Sequence, residues 1–95
     1  MAAYLVANVD VLDPEEYKTY VAKVPPTIAK FGGKYLARGG KAIHLEGTEK
    51  PHRMVILEFA DLDTAKRWYD SSEYQEILPI RLRASRSHAV LIDGA

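Results

Sequence analysis

Ala3-Tyr4-Leu5-Val6-Ala7-Asn8-Val9-Asp10-Val11 is the stretch that decides the fold. It reads as a strand. One face carries Ala3, Leu5, Ala7, Val9 and Val11; the other carries Tyr4, Val6, Asn8 and Asp10. A strand that is apolar on both faces is covered on both faces. A helix start comes next in the chain. Asp13 caps, Pro14 suits the first helical position, and Glu16 completes a capping box of the D-x-x-E kind. Tyr17, Tyr20, Val21, Val24, Ile28 and Phe31 recur at steps of three and four, which is one helical stripe. Pro25-Pro26 interrupts it, and the spacing predicts a kink or two abutting helices. Gly32-Gly33 supplies the left-handed cap.

Outward from there, Lys34–Arg38 reads as a second strand, closed by a Gly39-Gly40 turn. Ala42–Leu45 reads as extended, after a bulge, and residues 46–52 form a polar loop. Arg53–Phe59 is the next strand, apolar on both faces except at Glu58. Asp61 caps a helix whose inner side is Leu62, Ala65, Trp68 and Tyr69. Ser71-Ser72-Glu73 opens another turn, leading to Tyr74, Ile77 and Leu78, and Pro79 predicts a further restart before Ala84. Arg86–Ile92 is the last strand. The order β-α-β-(β)-β-α-β over residues 1–95 is the split βαβ pattern of an α+β, ferredoxin-like sandwich in a single domain. Two helices cover one face of an antiparallel sheet. The other face is left apolar and bare, and sheet-on-sheet pairing with a second copy is the economical cover.

Composition bounds the chemistry. The 95 residues hold 13 Lys+Arg against 13 Asp+Glu, so a basic nucleic-acid footprint is absent. With no cysteine there is no disulfide, thiolate nucleophile or Cys-type zinc site. His44, His52 and His88 are scattered without ligand spacing, so no metal is expected. Neither the Gly pairs nor the serines fall in a phosphate-loop or nucleophile-elbow pattern. Residues 2–9 do not read as a signal peptide and no stretch is long enough for a membrane helix, so the expected location is the cytoplasm.

Three blocks carry a likeness. They are Gly32-Gly33-Lys34-Tyr35-Leu36-Ala37-Arg38-Gly39-Gly40; Leu45-Glu46-Gly47 with Pro51-x-Arg53; and Glu58-Phe59 with Ala65-x-x-Trp68-Tyr69-x-Ser71-x-x-Tyr74. Together, and in this order, they resemble the bacterial family known as domain of unknown function 1330. The resemblance implies a dimeric α+β barrel and brings no catalytic residues with it. More distantly, the chain is similar to the haem-degrading and the cofactor-free, quinone-forming monooxygenases of the same superfamily. The haem-degrading type places an Asn on the first strand, a Trp on the second long helix and a His ten residues beyond. Asn8 and Trp68 match the first two, but Leu78 stands in the third place and cannot ligate iron. No cofactor is expected.

The candidate site residues are Asn8, Glu58, Trp68, Tyr74, Arg81 and His88. Asn8 is an amide in an apolar strand; it either bonds a neighbouring loop or orients a ligand carbonyl. Glu58, if buried, would serve as general acid or base; at a strand end it pairs with Arg53, Arg38 or a lysine. Trp68, Tyr69 and Tyr74 are either core or a pocket wall, and six tyrosines in all suit a surface that is part apolar and part hydrogen-bonding. Arg81, Arg83, Arg86 and His88 form a basic cluster, either a solvated helix end or an anion site, with Arg81 placed to reach inward beside Ile77 and Leu78. These residues are expected to line one cavity between helices and sheet, with Glu58 or His88 at its mouth. The cavity would take a small, partly aromatic or carboxylated molecule, with binding alone or cofactor-independent oxygenation as its use. The competing reading is a non-catalytic dimeric accessory or stress-related module whose aromatics are core.

Overall fold

The computed structural model describes residues 1–95. Its elements are β1 (Ala3–Val11), α1 (Pro14–Lys30), β2 (Lys34–Arg38), β3 (Arg53–Phe59), α2 (Leu62–Asp70), α3 (Ser72–Ala84) and β4 (Ser85–Asp93). The four strands form one antiparallel sheet in the order β2-β3-β1-β4. This is the ferredoxin-like α+β arrangement that the alternation of strand and helix patterns predicts.

The caps work as their residue types require. Asp13 accepts from the Glu16 amide at 3.2 Å, Asp61 from Thr64 at 2.7 Å and Ser71 from Tyr74 at 3.2 Å. Helix α1 closes in a Schellman motif: Gly33 donates to Ile28 and Gly32, at φ +72°, donates to Ala29. Gly33 has a second reason to be glycine, because a Cβ there would lie 2.6 Å from the Phe59 ring.

Three expectations need correction. Of the two alternatives at Pro25-Pro26, two abutting helices are excluded: helix α1 runs from Pro14 to Lys30 as one element. The stripe Tyr17, Val24, Thr27, Ile28 stays buried on both sides of the prolines, so packing holds the helix where two backbone hydrogen bonds are missing. Pro79 likewise lies inside a continuous α3. Residues 42–45 form no strand. Gly39, at φ +72°, turns the chain away from the sheet, and Ile43 and Leu45 are left 75% and 88% exposed.

The core lies on one side of the sheet. Ala3, Leu5, Ala7 and Val9 of β1 are buried with Leu57, Phe59, Ala65, Trp68, Tyr74, Ile77 and Leu78 under the three helices. On the opposite face stand Tyr4, Val6, Met54 and Ile56, half-buried, and Val90 and Ile92, 61% and 56% exposed. No element of the chain covers them.

Candidate functional site

Strand register builds a slot on the helix side. Rows of cross-strand neighbours run Leu57–Leu5–Leu91, then Val55–Ala7–Ala89, then Arg53–Val9–Ser87. The middle row is short: two of its three side chains are methyl groups, so the helices above cannot close onto it. The resulting cavity, of about 40 Å³, has Ala7, Ala89 and Val55 as floor. Tyr17, Tyr20 and Val24 of α1 form one wall, and Trp68, Tyr74 and Arg81 the other.

The walls are rigid. Trp68 is 1% exposed and packs on Tyr74 with ring centroids 4.2 Å apart and the planes tilted by 37°. Its Nε1 donates to Thr27 Oγ1 at 3.0 Å, and Thr27 donates onward to the Val24 carbonyl at 2.7 Å. The Tyr20 and Tyr74 hydroxyls share a 2.7 Å hydrogen bond. Burial, reinforced by the facing Tyr74, pushes the Tyr20 hydroxyl far above the ordinary tyrosine range. Burial also raises Tyr74, with the nearby Arg81 guanidinium opposing the rise. Both phenols are therefore neutral donors at neutral pH. Arg81, 6% exposed, donates from Nη1 to Ser87 Oγ at 3.1 Å, while its Nε is buried without a partner.

Trp68, Tyr74 and Arg81 meet in this slot, but Asn8, Glu58 and His88 do not. Asn8 belongs to the even-numbered residues of β1, and its cross-strand neighbour His88 shares that face. Glu58 pairs across from Tyr4, also on the open face. Side chains alternate along a strand, so none of the three can reach a slot whose floor is Ala7 and Ala89. The expectation that Asn8 lines the cavity with Trp68, Tyr74 and Arg81, and that Glu58 or His88 stands near its mouth, is thereby corrected. Asn8 straps a loop to the sheet: its Nδ2 donates to the Lys50 carbonyl at 3.0 Å and its Oδ1 accepts from the His52 amide at 2.8 Å. Glu58 pairs with Lys34 at 3.2 Å, and His88 lies 3.4 Å from Glu49. Asn8 and His88 border a separate polar cleft with Asp10, Lys50, His52 and Arg86.

Among the lining residues that escaped sequence reasoning, two are charged, Arg53 and Arg38. Arg53 alternates with Val55, Leu57 and Phe59, so its position on the core face was readable from the period of two. Arg38 was not readable. A bulge shifts the β2–β3 register between Tyr35 and Ala37, and only that extra residue turns Arg38 to stand opposite Val55 on the helix side.

Proteins of known structure share this architecture. A protein of unknown function from Rhodopseudomonas palustris is 18% identical with a TM-score of 0.79, over 99% of this chain and 82% of that one. A dimeric ferredoxin-like protein of unknown function from Jannaschia sp. CCS1 is 9% identical with a TM-score of 0.73, over 99% of this chain and 100% of that one. SnoaB, a cofactor-independent oxygenase from Streptomyces nogalater, is 16% identical with a TM-score of 0.61, over 99% of this chain and 93% of that one. At these identities the likeness is one of fold. No curated protein matches the sequence. Residues 2–95 match the family model described as Domain of unknown function (DUF1330), and the chain belongs to that family.

Proposed function

We propose that the protein binds a small planar organic molecule in the slot between α1, α3 and the sheet. The observation that carries this reading is the Ala7–Ala89 floor beneath the packed rings of Trp68 and Tyr74, a partly open gap with apolar walls and a few inward polar groups. Trp68 is the only tryptophan, so its fluorescence reports the slot directly. Titration with benzoate, benzamide and phenol should quench or shift that emission for at least one of them. Ala89→Leu, which fills the floor, should abolish the response and leave the circular dichroism unchanged. No response to any of the three, or one that survives Ala89→Leu, would refute the slot.

We propose further that the chain works as a homodimer joined through its open sheet face. An uncovered patch containing Val6, Met54, Ile56, Val90 and Ile92 is what such an interface needs, and structures of the same fold are described as dimeric. A stable pair should bury more than about 1,000 Å². Light scattering should report a dimer at micromolar concentration, and Val90→Asp with Ile92→Asp should shift it to monomer. A wild-type monomer would remove this part of the reading.

Cofactor-independent oxygenation is the second reading, favoured by the fold shared with SnoaB. The slot lining contains no carboxylate and no imidazole to take a substrate proton, and its buried phenols hold theirs. Binding is therefore what the geometry supports better.

A further inference from the structure

We infer that the slot is an anion site, in which Arg81, Arg53 and Arg38 hold the carboxylate of a planar organic acid. The inference rests on the slot being a ligand site and adds the charge that the ligand must carry.

The lining holds three arginines and no acidic residue. None of the three is paired: the ion pairs of the chain, drawn at 4.0 Å or less, all use other cations. The Nε atoms of both Arg53 and Arg81 are buried without a hydrogen-bond partner. Arg81 is buried, Arg53 half-buried and Arg38 exposed, so the cost of an uncompensated buried cation falls chiefly on Arg81. A lysine or histidine would escape by losing its proton, but a guanidinium does not. An acceptor anion arriving from outside resolves the cost, and a carboxylate matches the guanidinium fork.

The placement is consistent with one shared ligand. Arg53 and Ser87 are the two ends of the row that crosses Val9. Neighbouring strands lie about 4.8 Å apart, so the ends of that row stand about 10 Å apart at the backbone, a gap two long side chains can bridge. Arg81 is tied to the Ser87 end. Arg53 lies over Tyr17, 5.8 Å from the ring centroid, and packs on Gly39, where a Cβ would overlap its guanidinium. Arg38 stacks at 4.2 Å over Tyr35 at the rim, where the β2 bulge has turned it. These ring contacts steady the two cations but leave the Arg53 Nε–H without an acceptor. In the Tyr20–Tyr74 pair one hydroxyl donates to the other, which leaves one phenolic proton free to donate. The cavity of about 40 Å³ suits the head group. At about 10–15 Å³ per water it has room for roughly three, enough for a carboxylate with its ring reaching toward the mouth.

The test compares benzoate with benzamide, equal in shape and different in charge, by calorimetry and Trp68 fluorescence at fixed ionic strength. Benzoate should bind at least tenfold more tightly than benzamide. Arg53→Met and Arg38→Met, chosen because neither side chain is as deeply buried as Arg81, should each weaken benzoate by about tenfold and benzamide much less, so that the preference for benzoate narrows. Equal binding of benzoate and benzamide would overturn the anion site and leave the slot standing. Binding of benzoate that is indifferent to both substitutions would also overturn it. Binding of neither compound would overturn the anion site, and the slot with it where phenol too gives no response.

Discussion

Thr27→Val isolates the hydrogen bond that fixes the rear wall of the slot. The two side chains are nearly equal in shape, so no cavity opens, but the hydroxyl that accepts from Trp68 Nε1 at 3.0 Å is lost. Trp68 is 1% exposed and Thr27 is 9% exposed, so water cannot replace it. Leaving a buried N–H unpaired costs about 1–3 kcal/mol. The lost bond from Thr27 to the Val24 carbonyl, at 2.7 Å, adds to this, and valine's extra methyl gains back roughly 0.8 kcal/mol. The net loss is about 2 kcal/mol. For a domain of this size that lowers Tm by roughly 8–16 °C. Thermal and urea unfolding should be compared at one fixed protomer concentration, since association shifts apparent stability. Thr27→Ser keeps the hydroxyl and should lose only about 1 kcal/mol. With Trp68→Phe as background the extra cost of Thr27→Val should nearly vanish. A Thr27→Val protein within about 0.3 kcal/mol of wild type would show that the Trp68 amine finds another partner, and the wall would then not be held as described.

Gly33→Ala should destabilise by about 1–3 kcal/mol in chemical denaturation, because its Cβ would press on Phe59 and Ile28, both buried; a neutral result would mean that the Phe59 ring moves freely. Pro25→Ala should be neutral or stabilising, since the native backbone there is helical and the substitution restores a backbone N–H and its hydrogen bond; a loss of several kcal/mol would reveal a non-helical joint. Burial holds the Tyr20, Tyr35 and Tyr74 hydroxyls above their ordinary value of 10.0. A raised folded value means the native state keeps the proton more tightly, so this stability is complete below pH 10 and is lost as pH rises beyond it. Phenolate absorbance should show part of the tyrosine signal ionising above pH 10, and complete titration near pH 10 in the folded protein would contradict it.

The fold was legible because β1 and β3 announce themselves twice, by period-two patterning and by apolar residues on both faces. Trp68, Tyr74 and Arg81 were legible as a group because helix spacing puts them inward, with the capped segments fixing the phase. Asn8 went to the other side of the sheet because alternation divides a strand into two sets without saying which set the helices cover. Val6 and Ile56 are as apolar as Leu5 and Leu57, so hydropathy gave no answer. Arg38 depended on one inserted residue in β2, a feature of pairing and not of composition. The extended reading of residues 42–45 failed for a related reason: their side chains suit a strand, but no strand of this chain stands beside them.

The most direct test of the central claim is a crystal structure of the protein purified without denaturing or high-salt washes and grown with benzoate. The account predicts a planar acid in the slot, its carboxylate oxygens about 2.7–2.9 Å from nitrogens of Arg81 and Arg53, with the ring reaching toward the mouth. A slot closed over Ala7 and Ala89, or one whose arginines are paired with carboxylates of the protein itself, would contradict it.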